Sequence, residues 1–179
     1  MLFLARHGET AYNAEGRFQG QAPVGLTARG VDQAHALART AAEREWGGLY
    51  CSPLPRARQT AAIVGAAIGL EPVEEPRFME ADAGSWTDRL YTDVEAADPD
   101  GWAAYNATDP AFAFPDGESL EQLSTRVHDG FQAVRGVGRE PALIVCHRGV
   151  IRVARCHADP RGLAGFMSWD VANGTVEAL

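Results

Sequence analysis

The chain opens on a short apolar run, Leu2 to Ala5, that ends abruptly in Arg6-His7-Gly8. Such a run, bounded by polar residues, predicts a buried strand. Leu49 to Cys51 predicts a second strand, and Ala142 to Cys146 (ALIVC) is the clearest of all. Thr27 stands as an N-cap before a helical stretch from Ala28 to Trp46, which Gly47-Gly48 stops. Pro53 and Pro55 open a helix that runs to Ile68 and closes at Gly69. Ser119 and Gln122 have capping-box spacing at the head of a helix from Ser119 to Val137. Val150 to His157 predicts a further helix, and Thr175 to Leu179 a last strand. Residues 71 to 118 are irregular and rich in proline and acids. They predict loops and short helices, and an insertion of that length often forms a lid or substrate wall.

Strands alternating with helices imply an α/β fold. One domain over residues 1–179 is expected, with a mixed, mostly parallel sheet flanked by helices on both faces. In such sheets ligands bind outside the carboxyl ends of the strands. The net charge of -8 and pI near 5.1 argue against a nucleic-acid surface, which needs a basic stripe. They leave anion sites open, because a few converging arginines govern local charge. No apolar run is long enough to span a membrane, and the apolar start is too short for a signal peptide. A cytoplasmic location is therefore expected. Cys51, Cys146 and Cys156 are odd in number and irregular in spacing, which suits bare structural thiols rather than a disulfide framework. Cys146 should turn into the core. His35, His128 and His157 fall within helices as surface or packed residues. No histidine pair has metal-ligand spacing, so neither a metal nor a cofactor is expected. Nothing in the pattern sets the oligomeric state, and a dimer stays open.

Four segment ends carry unusual polar residues. The first strand ends in Arg6-His7-Gly8-Glu9-Thr10, and the second in Cys51-Ser52-Pro53 with Arg56 close behind. A third segment is expected to end near Glu80. The ALIVC strand ends in His147-Arg148-Gly149. In a parallel sheet these ends share one edge. Two histidines, up to three arginines and one glutamate would then converge, a set suited to phosphoryl transfer. A neutral imidazole is a competent nucleophile. Arginine forks match phosphoryl oxygens, and their charge keeps a nearby histidine unprotonated. A carboxylic acid can protonate a leaving alkoxide. Gly8 and Gly149 each follow a histidine, where a missing Cβ lets backbone N–H groups approach an anion. These residue types leave His7 and His147 as equal candidates for the nucleophile. Asp82 rivals Glu80 as the acid, and Glu9 suits loop ordering. Trp86, Trp102 and Tyr105 could line a pocket or pack in a core.

Arg6-His7-Gly8-Glu9-Thr10 resembles the signature of the histidine phosphatase superfamily, the phosphoglycerate mutase-like family. Asn13, Phe18-Gln19-Gly20 and Leu26-Thr27-Ala28-Arg29-Gly30 follow at the family's spacing. Ser52-Pro53-Leu54-Pro55-Arg56-Ala57 with Gln59-Thr60-Ala61 is similar to its second block. Glu80-Ala81-Asp82-Ala83-Gly84-Ser85-Trp86 resembles the acid-bearing block. Pro115-Asp116-Gly117-Glu118-Ser119 and Cys146-His147-Arg148-Gly149-Val150-Ile151-Arg152 complete the set. The resemblance implies that His7 carries a phosphoryl group and that Glu80 is the proton donor. It implies that Arg6, Arg56 and His147 surround the phosphate, that Asn13 contacts it, and that Gln19-Gly20 borders the substrate. A small-molecule phosphate ester is the implied partner. Two departures stand out. Thr87-Asp88 replaces the usual Glu-Gly after Trp86, and Arg148 stands where glycine is common, as a fourth cation or a solvent-facing residue. The arginine-rich segment of the mutases is missing between Trp86 and Glu118, and Pro-Asp-Gly-Glu-Ser resembles the phosphatase branch. Gly20-Gln21-Ala22-Pro23 before Leu-Thr-Ala-Arg-Gly is similar to the α-ribazole phosphatases, which makes α-ribazole phosphate a candidate substrate beside sugar or glycerate phosphates. The rivals are mutase-type transfer and a non-catalytic phosphate-binding regulatory module.

Overall fold

The structure is a computed structural model that describes residues 1–109 and 111–179. Five strands form one sheet: β1 (Leu2–Arg6), β2 (Gly48–Cys51), β3 (Val73–Glu74), β4 (Ala142–Cys146) and β5 (Val176–Ala178). Their order is β3-β2-β4-β1-β5. Every pairing is parallel except that of β5 with β1. In β1 and β4 every residue is buried, as expected of central strands covered on both faces.

Helices flank both faces. Phe3, Ala5, Leu49, Cys51, Leu143 and Val145 point to one side. There they meet α2 (Ala28–Ala41) and α3 (Pro55–Ile68). Leu2, Leu4, Tyr50, Ile144 and Cys146 point to the other and pack on α6 (Leu120–Val137) and α7 (Arg148–Cys156). The period of two along each strand thus sorts one apolar run into two cores. Three short helices lie outside this frame: α1 (Ala11–Glu15), α4 (Tyr91–Ala97) and α5 (Pro99–Ala107). No helix among the described residues is long and apolar enough to cross a membrane.

The helix expected to reach Trp46 ends at Ala41. The Trp46 indole N–H donates to the Ala41 carbonyl at 2.8 Å. It thereby satisfies an acceptor that another helical turn would have used. The third segment also differs from expectation. Its strand is Val73–Glu74, and Glu80 lies beyond it, past a 3-10 turn at Pro76–Phe78. Glu80 is therefore on a loop rather than at a strand end.

Among the described residues, 71–118 hold two 3-10 turns besides α4 and α5 and no core of their own. Trp86, Tyr105, Phe112 and Phe114 join the cluster that covers the α6–α7 side of the sheet, together with Phe18. Trp86 is 1% exposed. Its ring lies 5.1 Å from Phe18 and 5.6 Å from both Phe112 and Phe114, tilted or edge-on, as aromatic quadrupoles prefer. Trp86 is thus core. Trp102 packs against the same cluster half-buried. Trp86→Ala is expected to destabilise the fold by about 3–5 kcal/mol. Urea unfolding measures this as a lower midpoint at unchanged slope. A loss below about 1 kcal/mol would mean that the site collapses around the gap.

Candidate active site

Parallel register brings the ends of β1, β4 and β2 to one edge. The ladder runs one residue past each strand. His7 N–H donates to the Cys146 carbonyl at 3.1 Å, and Ser52 N–H to the Val145 carbonyl at 3.0 Å. His7 and His147 are fully buried with ring centroids 5.1 Å apart. Arg6 ends β1, and Arg56 sits in the first turn of α3 with no exposure.

The hydrogen-bond pattern fixes the His7 tautomer. Nδ1 lies 2.6 Å from the Gly8 carbonyl oxygen, which can only accept. Nδ1 therefore carries the hydrogen, and Nε2 of the neutral ring keeps its lone pair. Burial, then the charges of Arg56 and Arg6, hold the His7 pKa well below the ordinary value. Burial and Arg56 do the same to His147. Both rings are neutral at pH 7.

That depression has a sign for stability. The unfolded chain's histidines take up protons near pH 6.5, while the folded pair stays neutral. Below that pH the unfolded state binds more protons, so stability falls as pH falls. Two such groups give a slope of up to about 3 kcal/mol per pH unit. Urea unfolding from pH 7.5 down to 5 measures it, and His7→Gln should remove one proton from the slope. A stability flat across this range would show that one or both rings protonate in the folded state.

Three buried nitrogens in this group have no partner among the described residues: Arg6 Nε, Arg56 Nε and His147 Nδ1. Arg6 Nη1 does donate to the Val171 carbonyl. Arg56 donates to the carbonyls of Gly20 at 2.8 Å and Ala22 at 3.0 Å. His147 Nε2 lies 2.7 Å from Ser52 Oγ, which also accepts from Leu54 N–H. Each unpaired buried donor costs about 1–3 kcal/mol. The Nε–H groups of Arg6 and Arg56 form a cradle beside His7 that an anion would satisfy, and His147 Nδ1 joins them as a donor when the Ser52 hydroxyl gives its hydrogen to Nε2. Burial lowers the pKa of both guanidiniums to about 10, so each remains charged at pH 7.

Arg6, His7, Asn13, Gln19, Gly20 and Glu80 line one pocket. Its free space is about 50 Å³, enough for a few water-sized groups. Arg56 and His147 are outside that lining, buried beside it. Asn13 caps α1 in a capping box, and its Oδ1 accepts from Thr10 N–H at 3.1 Å. Gln19 accepts from the Thr10 hydroxyl at 2.8 Å. Asn173, which no sequence signal singled out, donates to the His7 carbonyl at 2.9 Å and to Asn13 Oδ1 at 3.2 Å.

Glu80 is held by two elements. Gly149 N–H, in the first turn of α7, donates to its carboxylate at 3.1 and 3.3 Å. A Cβ at Gly149 would stand 2.3 Å from Glu80 Oε1, so any larger residue would push the carboxyl group off this N–H. What the Gly149 backbone approaches is thus the protein's own Glu80 side chain. At Gly8 the expectation of an open backbone donor fails. Its N–H is spent on the Thr60 hydroxyl at 3.1 Å, and a Cβ there would meet the Gly30 carbonyl at 2.1 Å. Gly8 instead lets the first loop pack on the start of α2. From α6, Arg126 donates to the carbonyls of Arg77, Met79 and Glu80 and pairs with Glu118 at 2.7 Å. It thereby fastens the loop that presents Glu80, and gives Glu118 of Pro-Asp-Gly-Glu-Ser its purpose. Asp82 is exposed, accepts from Gly84 N–H and lies outside the pocket lining. Glu9 takes the Thr27 hydroxyl at 3.1 Å and orders the loop.

Arg17, Arg148 and Arg152 also line the pocket. The three cysteines are free and buried, with Cys146 in the core. His35, His128 and His157 are exposed. Among the described residues no three His, Cys, Asp or Glu side chains are placed to hold a metal ion.

Comparison with known proteins decides the family. Residues 2–179 match the model of the histidine phosphatase superfamily, branch 1. The chain belongs to that superfamily. A relative from Enterobacter sp. (strain 638), named probable phosphoglycerate mutase GpmB, is 39% identical over 128 residues. The match covers 70% of this chain and 59% of the relative, so the chain spans less than two thirds of that protein. Phosphoserine phosphatase 1 of Hydrogenobacter thermophilus is 30% identical, with 99% of this chain and 85% of that one covered. The crystal structure of the α-ribazole phosphatase from Shigella flexneri superposes with a TM-score of 0.84 at 31% identity. That superposition covers 98% of this chain and 87% of the other. Mutase-like and α-ribazole phosphatase relatives were both expected from the motif blocks of this superfamily member.

Proposed function

We propose that this chain hydrolyses a small phosphate monoester through a phosphohistidine on His7. The observation that carries the reading is a buried neutral imidazole with its Nδ1–H on the Gly8 carbonyl. Its Nε2 is left reactive beside the unpartnered Nε–H groups of Arg6 and Arg56. Nε2 attacks phosphorus, and the bond from phosphorus to the ester oxygen breaks as Glu80 protonates that oxygen. The positive charge that builds on the ring is met at Nδ1–H by the Gly8 carbonyl. Arg6, Arg56 and His147 hold the phosphoryl oxygens, while Asn13, Gln19 and Gly20 border the site. Water then attacks phosphorus and gives its proton to Glu80, the N–P bond breaks, and phosphate leaves with His7 neutral again. Arginine charge serves where other phosphoryl-transfer sites use a metal. Residues 71–118 form the substrate wall within a single domain.

The test is phosphate release from p-nitrophenyl phosphate in EDTA, together with trapping of ³²P on the protein. A phosphohistidine is labile to acid and stable to alkali. Turnover in EDTA with label of that stability on His7 supports the reading. Label stable to acid, or turnover that EDTA abolishes, overturns it. A second reading, mutase-type transfer, is favoured by the name of the Enterobacter relative. It shares the phosphoenzyme but returns the group to an organic acceptor, so label would appear in a phosphorylated product rather than in free phosphate.

A further inference from the structure

His128 and His157 are far apart in the sequence, and the fold brings them together. His128 is exposed on α6, and His157 is exposed at the C-cap of α7. The two helices pack on each other. They set the imidazole rings at a centroid separation of 5.1 Å, inclined by 42°. An ion held by one nitrogen of each of two imidazoles, at about 2.0–2.1 Å and a near-tetrahedral angle, sets their centroids roughly 5 Å apart. The pair therefore stands at the separation a shared ion requires, and rotation of exposed side chains suffices to aim it. The Gln132 amide nitrogen, one turn along α6, lies 3.3 Å from His128 Nε2. An amide nitrogen only donates, so His128 Nε2 carries the lone pair a metal needs. Half a turn of the same amide brings its oxygen to that place. Among the described residues neither ring is paired with a carboxylate, so no fixed anion holds either as an imidazolium.

We propose that His128 and His157 bind a divalent ion of the zinc and copper class, which clips α6 to α7. Imidazole nitrogens suit such ions, whereas Mg²⁺ and Ca²⁺ take oxygen ligands. Two imidazoles leave the other positions to water or to the Gln132 oxygen, so the ion binds reversibly. It takes no part in phosphoryl transfer. His157 caps the end of α7 remote from His147, about 15 Å away at the helical rise. Its effect is on packing. Arg126 of α6 fixes the Glu80 loop, and Gly149 N–H of α7 donates to the Glu80 carboxylate. The ion thus fastens together the two helices that hold Glu80.

The test is calorimetric titration with Zn²⁺ at neutral pH, on protein freed of metal by EDTA and then of EDTA. The native protein should bind one equivalent. His128→Ala and His157→Ala should each weaken binding about tenfold or more. His35→Ala, at the remaining exposed histidine, should leave it unchanged. At free Zn²⁺ about one hundred times its Kd the native Tm should rise by about 5–10 °C. The Tm of the double variant should not move. Cu²⁺ adds a spectroscopic signature, since its electron spin resonance should show two nitrogen ligands in the native protein and one in either single variant. Both substitutions are at exposed positions, and unchanged far-UV circular dichroism confirms that the variants fold. Absence of Zn²⁺ binding in the native protein, or binding that survives both substitutions together, overturns the site. None of these readouts requires turnover, so the clip and the phosphatase reading stand or fall separately.

Discussion

His7→Ala is expected to lower turnover by about 10⁴-fold or more, because the proposed route has no other nucleophile. His147 is neutral as well, but its geometry differs. Its Nε2 is bound to Ser52, and its Nδ1 is one of the three unpartnered nitrogens that would face an anion. Phosphate or vanadate should still bind His7→Ala, since Arg6 and Arg56 remain. Binding without turnover separates loss of chemistry from loss of the fold. His7→Gln is the companion variant, nearer in volume at a site 1% exposed. Initial rates with p-nitrophenyl phosphate and ³²P trapping supply the readout. A residual rate within about tenfold of the native value, or label retained in His7→Ala, would move the nucleophile elsewhere.

The central strands and the long helices were legible because their patterns are local. Leu2–Arg6 and Ala142–Cys146 are unbroken apolar runs, and Ser119 and Gly69 cap α6 and α3 where the sequence placed them. Where a distant group intervenes, the pattern misleads. Trp46 stops α2 five residues early by folding back onto Ala41. The five-residue α1 is too short for any periodicity and rests on its Thr10 and Gly16 caps. At the site, Arg6, His7 and His147 follow from strand ends in a parallel sheet. Glu80 does not, because it rides a loop fastened by Arg126 from the middle of α6. The sequence pattern places it at the end of a third strand, but that strand is Val73–Glu74 and ends six residues earlier. Asn173 joins the site from the C-terminal end through contacts that no spacing announces, whereas Arg152, which closes the His147 motif block, lines the pocket. Gly8 and Gly149 look alike in sequence. Only packing shows that one makes room for Gly30 and the other for Glu80.

Glu80→Gln is the substitution that separates proton transfer from binding. Glutamine keeps an oxygen to accept the Gly149 N–H but has no acidic proton to give. With an alkyl phosphate the leaving alkoxide needs that proton, and kcat/KM should fall about 10²- to 10⁴-fold. With p-nitrophenyl phosphate the leaving group departs readily as an anion, so the first step should lose far less. Hydrolysis of the phosphoenzyme still needs a base for water, and the same side chain supplies it. The variant should therefore release p-nitrophenol in a burst of about one equivalent per site and then stall, with phosphohistidine accumulating on His7. Rapid quench with acid-labile label counting measures both quantities. Equal losses on the two substrates without a burst would mean that Glu80 only shapes the pocket. A burst confined to the aryl ester would assign both proton transfers to one carboxylate. It would also explain why a glycine stands in the first turn of α7, and why an arginine from α6 reaches across to fix the loop that carries the acid.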